Sequence, residues 1–159
     1  MFETVNYILQ LTWRKYDNIL WGIANIENKS SSVIVVNGVL IAVSLSLLSQ
    51  ISSIYYLFSI IPFFISIILA SGAIFSITSG VVYQKDPYEL INPIFGIADK
   101  SELHTKLLTI VGDINRFADD AKKVGDTKLR WYNYSILFFI IGIGVMIGTY
   151  VGIVTKTFL

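Results

Sequence analysis

Cysteine is absent from this 159-residue chain, so disulfides, thiolate nucleophiles and cysteine-based metal sites are excluded. Histidine occurs once, at His104, and proline three times. Charge is also scarce. Charged residues make up 14% of the chain, against about 25% in an ordinary soluble domain. The shortage is concentrated in two blocks. The 55 residues from Ser30 to Gln84 hold no Asp, Glu, Lys, Arg or His, and neither do the 25 from Trp131 to Thr155. These gaps exclude a soluble enzyme domain and a disordered chain. A net charge of +1 provides no field to steer a nucleic acid polymer.

What is present is apolar: 54% hydrophobic residues and a mean hydropathy of +0.67. A bilayer-spanning helix needs about 20 such residues. The first block is too long for one crossing and ample for two with a turn between them. The turn is expected at 49–53, where Ser49, Gln50, Ser52 and Ser53 cluster. This predicts spans at 31–49, 55–82 and 131–155, with Pro62 either near the first turn of the second span or kinking it. Tyr55 and Tyr56, and Trp131, Tyr132 and Tyr134, start the second and third spans as interfacial aromatics do. The first 30 residues mix acids, amides and aromatics, so no cleavable signal peptide is expected.

Orientation follows from basic residues in the flanks. Arg14, Lys15 and Lys29 precede the first span, and eight more, from Lys85 to Arg130, lie between the second and third. Lys156 alone follows the third. The expected topology puts the N-terminus and the 85–130 loop in the cytoplasm and the C-terminus outside, in the inner (plasma) membrane.

Outside the spans, Phe2, Val5, Leu9, Trp13, Tyr16 and Leu20 recur at helical spacing over 1–29. This amphipathic helix either lies among the headgroups through Trp13 or packs on the loop helix. A connector is expected at 86–98, between Pro87 and Pro93. From 101 to 130 a second amphipathic helix carries Leu103, Leu107, Ile110, Ile114, Phe117, Ala121 and Val124 in unbroken 4-3 spacing, after a plausible N-cap at Ser101. Its seam serves either a coiled coil between subunits or packing on the N-terminal helix. The spacing continues through Lys128 to Trp131, so this helix is expected to run into the third span. Gly112 and Gly125 mark places where it could bend.

Within the spans, Gly144, Gly148 and Gly152 form a G-x-x-x-G series, with Gly142 before it, and Gly72, Ser76 and Gly80 repeat the spacing in the second span. Small residues at this interval let helix backbones approach in lipid. Two such faces on three spans point to a homo-oligomer. Ser30, Asn37 and Ser44 lie seven apart and share one face of the first span. Such a polar stripe either lines a pore in an oligomer or supplies an interhelical hydrogen bond from Asn37. Chemistry-bearing constellations are lacking. His104 reads as a solvated side chain, Asp119 and Asp120 point to different faces, and Asp113 with Asp120 makes too small a set for a metal. No phosphate loop, zinc helix motif or nucleophile elbow occurs. The expectation is a non-enzyme without cofactor or metal.

The run from Ile23 to Val33, passing through Asn37, Leu40 and Leu45, contains an acid-x-Lys-small pattern at Glu27, Lys29 and Ser30. With the order of spans, it resembles the transmembrane effectors of Pycsar anti-phage systems. That family usually has alanine where this chain has Ile26 and Ser30, and its loop signature is echoed at Phe95, Gly96 and Asp99. The resemblance covers about 16–150 and is mainly one of architecture. It implies an effector that impairs the inner membrane in response to a cyclic pyrimidine nucleotide, and assigns no ligand residues. The alternative reading is a non-catalytic accessory subunit of a larger membrane complex, or a small channel. The expected fold is an all-α membrane protein with three transmembrane helices, an N-terminal amphipathic helix and a cytoplasmic amphipathic helix leading into the third span.

Overall fold

The computed structural model describes residues 2–51, 55–76 and 100–158. All the regular structure among them is helical: α1 (Phe2–Ile51), α2 (Tyr55–Phe75) and α3 (Lys100–Phe158). Each contains a stretch long and apolar enough to cross a membrane. The amphipathic segment expected at 1–29 and the span expected at 31–49 belong to one unbroken helix, α1. Likewise α3 continues through Lys128 and Trp131 without interruption, past Gly112 and Gly125. Pro62 lies inside α2, beyond its first turn, and the helix continues through it. The middle of the expected turn, the connector at 86–98, Gly80, Phe95, Gly96 and Asp99 lie outside the described residues.

The chain divides into two compact units, to both of which α1 and α3 contribute. The first comprises 1–24 and 77–126. Its core joins Leu9, Tyr16 and Ile23 of α1 to Leu107, Ile110, Ile114, Ala118, Ala121 and Val124 of α3. The α3 seam therefore has its partner in the same chain, and Trp13 packs against that cluster. The seam is centred on Ala118, fully buried, with Phe117 only partly so. Alanines at 118 and 121 and Gly125 let the helices come close: a Cβ on Gly125 would touch Ile23 Cγ1 at 3.4 Å. The outer faces carry the charges. Glu102–Lys106 and Asp120–Lys123 pair along α3, and Lys15 pairs with Asp119, all in exposed positions worth a few tenths of a kcal/mol each.

The second unit comprises 25–76 and 127–159, and its solvation is reversed. Val35, Val39, Phe58, Phe64, Ile68, Leu137, Ile140 and Ile147 point outward and are exposed. Ser30, Asn37, Ser44, Ser59, Ser66 and Ser135 point inward and are fully buried. Water would drive those apolar groups inside, whereas hydrocarbon leaves them outside and makes polar groups seek one another. The chain makes the exchange along single seven-residue lines. On α1, the buried positions Leu9, Tyr16 and Ile23 are succeeded by Ser30, Asn37 and Ser44. On α3, Leu107, Ile114 and Ala121 are succeeded by Lys128 and Ser135. Burial thus keeps the seven-residue period of packed helices while the chemistry of the buried side chain changes.

Candidate functional site

The buried polar side chains of the second unit form a site to which all three helices contribute. At one end of α2 the backbone carbonyls require partners, because the last four of any helix have none within it. Ser76 N–H donates to the Gly72 carbonyl at 2.9 Å. The Ala73 and Ile74 carbonyls accept from Lys128 Nζ at 3.0 and 2.9 Å. The third donor of that ammonium goes to Glu27 Oε1 at 2.8 Å. Three N–H donors meet three oxygen acceptors, which satisfies an ammonium fully. Lys128 is 5% exposed; a cation so buried is tolerable only when paired and hydrogen-bonded. α2 has no basic residue in its own last turn, and Lys128 of α3 supplies the positive charge that a helix C-terminus favours. Of the second span expected at 55–82, Tyr55–Phe75 is helical and ends next to this cap, and 77–82 lie outside the described residues.

Deeper in the unit, Asn37 Nδ2 donates to the Val33 carbonyl at 2.8 Å and to Ser66 Oγ at 3.0 Å. Ser66 Oγ in turn donates to the Ser135 carbonyl at 2.8 Å, with Ser135 Oγ 3.3 Å away. One asparagine and two serines thereby connect the three helices. A further layer joins Ser59 Oγ to Ser44 Oγ at 3.4 Å, and Ser44 Oγ to Met146 Sδ at 3.6 Å. Ser30 closes on its own helix, donating to the Ile26 carbonyl at 2.8 Å. An acceptor of this network is left over: Asn37 Oδ1 is buried with no hydrogen-bond partner among the described residues. Such a group costs about 1–3 kcal/mol.

No family model, curated protein or solved structure matches this chain. The polar stripe Ser30, Asn37 and Ser44 faces the interior of the unit, with Asn37 hydrogen-bonded across to α2. Glu27, Lys29 and Ser30 diverge: Glu27 meets Lys128, Lys29 lines a groove on the outside, and Ser30 is buried.

The small residues also separate into two classes. A Cβ on Gly142 would come within 2.5 Å of the fully buried Phe63 ring, and one on Gly72 within 3.2 Å of Trp131. These two glycines let helices of one chain touch. Gly144, Gly148 and Gly152 would meet nothing within 4 Å among the described residues, so their face of α3 is open there. The Ser76 hydroxyl is buried with no hydrogen-bond partner among the described residues.

Sequence reading missed Lys128, Ser59, Ser66 and Ser135 as site residues. The usable signal was the seven-residue interval. Ser59 and Ser66 are seven apart in a charge-free run, and Lys128, Ser135 and Gly142 continue the line of the α3 seam.

Proposed function

We propose that the protein is a small oligomeric membrane effector whose polar interior is closed at rest and rearranges to impair the inner membrane in response to a cyclic pyrimidine nucleotide. The observation that carries this reading is the fully buried line Ser30, Asn37, Ser44, Ser59, Ser66 and Ser135, with Asn37 Oδ1 unsatisfied. A passive anchor has no need of it, because alanine and leucine fill a three-helix interior without desolvating amides and hydroxyls. Polar groups at membrane depth face the bundle interior, where they can line a path or hold helices together. The unsatisfied acceptor favours any arrangement in which it gains a partner, and a second arrangement is what a ligand needs in order to act.

The nucleotide comes from the resemblance at Glu27, Lys29 and Ser30. Its receiving part is the charged unit, which the basic-residue bias assigns to the cytoplasm. Helices α1 and α3 belong to both units and are the elements through which binding would reach the polar interior. The open glycine face at Gly144, Gly148 and Gly152 is the surface on which copies would assemble. The deciding experiment is dye release from inner-membrane-like vesicles carrying the purified protein. Release on adding cyclic UMP or cyclic CMP supports the reading; intact vesicles with both nucleotides, and with purine cyclic nucleotides, contradict it.

The same open glycine face favours a second reading, an accessory subunit packed against a different membrane protein. The mass of the detergent-solubilised complex separates the two. A single-species oligomer favours the effector, and a stoichiometric foreign subunit favours the accessory role.

A further inference from the structure

A groove of about 300 Å³ runs along the outside of the second unit between α1 and α3, lined by Lys29, Ser32, Val33, Val36, Tyr132 and Phe139. Its polarity is graded. Lys29 is the last charge before the first charge-free block, and Tyr132 is the second residue of the other. Val33, Val36 and Phe139 follow deeper along the same helices. Lys29 to Val36 and Tyr132 to Phe139 are each seven residues apart, roughly 10 Å of helix. One end of the groove therefore lies where charge stops on both helices, and the other lies among apolar side chains. The wall is fixed from behind, since the Phe139 ring packs on the fully buried Phe63 at a centroid distance of 6.4 Å.

The cation at the mouth is available. Lys29 is exposed and forms no ion pair among the described residues, whereas its neighbour Glu27 is held by Lys128. A single positive charge above an apolar trough complements one class of molecule: an amphiphile with an anionic head and a hydrocarbon tail.

We propose that this groove is a binding site for one anionic phospholipid of the surrounding bilayer. The headgroup phosphate lies against Lys29 Nζ, with the Tyr132 hydroxyl beside it, and one acyl chain lies along Val33, Val36 and Phe139. Lysine suits this role because its apolar stem lies along the helix while the ammonium reaches the phosphate layer. A basic residue near an anionic membrane surface contributes enough to favour an anionic lipid about fivefold over a zwitterionic one.

The site rests on the membrane-spanning reading of this unit, and the experiment separates the two. The full chain is reconstituted in phosphatidylcholine vesicles, its incorporation checked by flotation and its helicity by circular dichroism. Traces of chain-labelled phosphatidylglycerol or phosphatidylcholine then report the motionally restricted lipid by electron paramagnetic resonance. The expected result is an approximately fivefold preference for phosphatidylglycerol, lost in Lys29→Gln and kept in Arg14→Gln. Val36→Trp, which fills the trough and leaves the charge, should release both lipids. Excess soluble glycerol phosphate should displace neither. A preference that survives Lys29→Gln, falls equally in Arg14→Gln, or is competed by glycerol phosphate overturns the site while leaving the membrane reading intact. Failure of the protein to float with the vesicles overturns both.

Discussion

Lys128 Nζ lies 2.8 Å from Glu27 Oε1, although 101 residues separate the two in sequence. The contact joins α1 to α3, and the same ammonium caps α2 through the Ala73 and Ile74 carbonyls. One side chain thus ties the middles of α1 and α3 to the end of α2. Lys128→Met should be among the most damaging substitutions in the chain. It leaves two helix-end carbonyls without their donor and Glu27 without its cation, although Glu27, with a side chain 40% exposed, still reaches solvent. A loss of about 3 kcal/mol is expected, read as a lower unfolding midpoint in detergent. Lys128→Arg should not restore it, because a planar guanidinium cannot direct donors at three acceptors grouped around one point.

Gly142→Ala should also destabilise. The added Cβ would lie 2.5 Å from Phe63 Cε1, and a fully buried ring cannot swing into solvent. Overpacking of this kind costs about 1–3 kcal/mol, and Phe63→Leu in the same chain should recover part of it. Gly144→Ala meets nothing within 4 Å among the described residues and should not destabilise the single chain. If copies assemble on that face, Gly144→Leu will lower the oligomer mass by light scattering without altering helicity.

In the first unit, Ile114→Ala should cost about 2–5 kcal/mol, because Ile114 is 1% exposed within the α1–α3 core. Ala118→Leu should be destabilising too, and Phe117→Ala distinctly milder than Ile114→Ala. Thermal unfolding of the three variants places the centre of the seam. Equal losses at 114 and 117 would contradict the packing described.

The opposing effects at Asn37 and Ser66 provide a further check. Ser66→Ala removes an acceptor for Asn37 and a donor to the Ser135 carbonyl, for an expected loss of about 1–2 kcal/mol. Asn37→Leu removes the same interhelical bond together with the unsatisfied Oδ1, so its net effect on stability should be near zero. It should nevertheless suppress nucleotide-triggered dye release, by removing the group that gains from rearrangement.

Much of this architecture was legible in the sequence because its cause is one-dimensional. Charge cannot lie cheaply in hydrocarbon, so the gaps at 30–84 and 131–155 announce apolar helices without knowledge of any contact. Period is equally local: Ser30, Asn37 and Ser44 share a face whatever they meet, and the 107–124 seam is visible before its partner is known. The partners were not legible, since pairing depends on distant segments. Lys128 looks like one of eight basic residues in a loop, and what distinguishes it is a set of backbone carbonyls on α2, which have no sequence signature. The glycines show the same limit. The G-x-x-x-G series drew attention to Gly144, Gly148 and Gly152, whereas the close contact inside the chain falls on Gly142, because it faces Phe63.

In the proposed function the polar interior is closed at rest and opens when the ligand binds. The natural chain has no cysteine, so Ser66→Cys introduces a single thiol at the centre of the Asn37–Ser66–Ser135 network. Its labelling by a membrane-impermeant, water-soluble thiol reagent should be measured in protein-containing vesicles, with and without cyclic pyrimidine nucleotide. Protection at rest and at least tenfold faster labelling with nucleotide are expected. A thiol that labels readily at rest, or whose labelling the nucleotide leaves unchanged, would contradict that function.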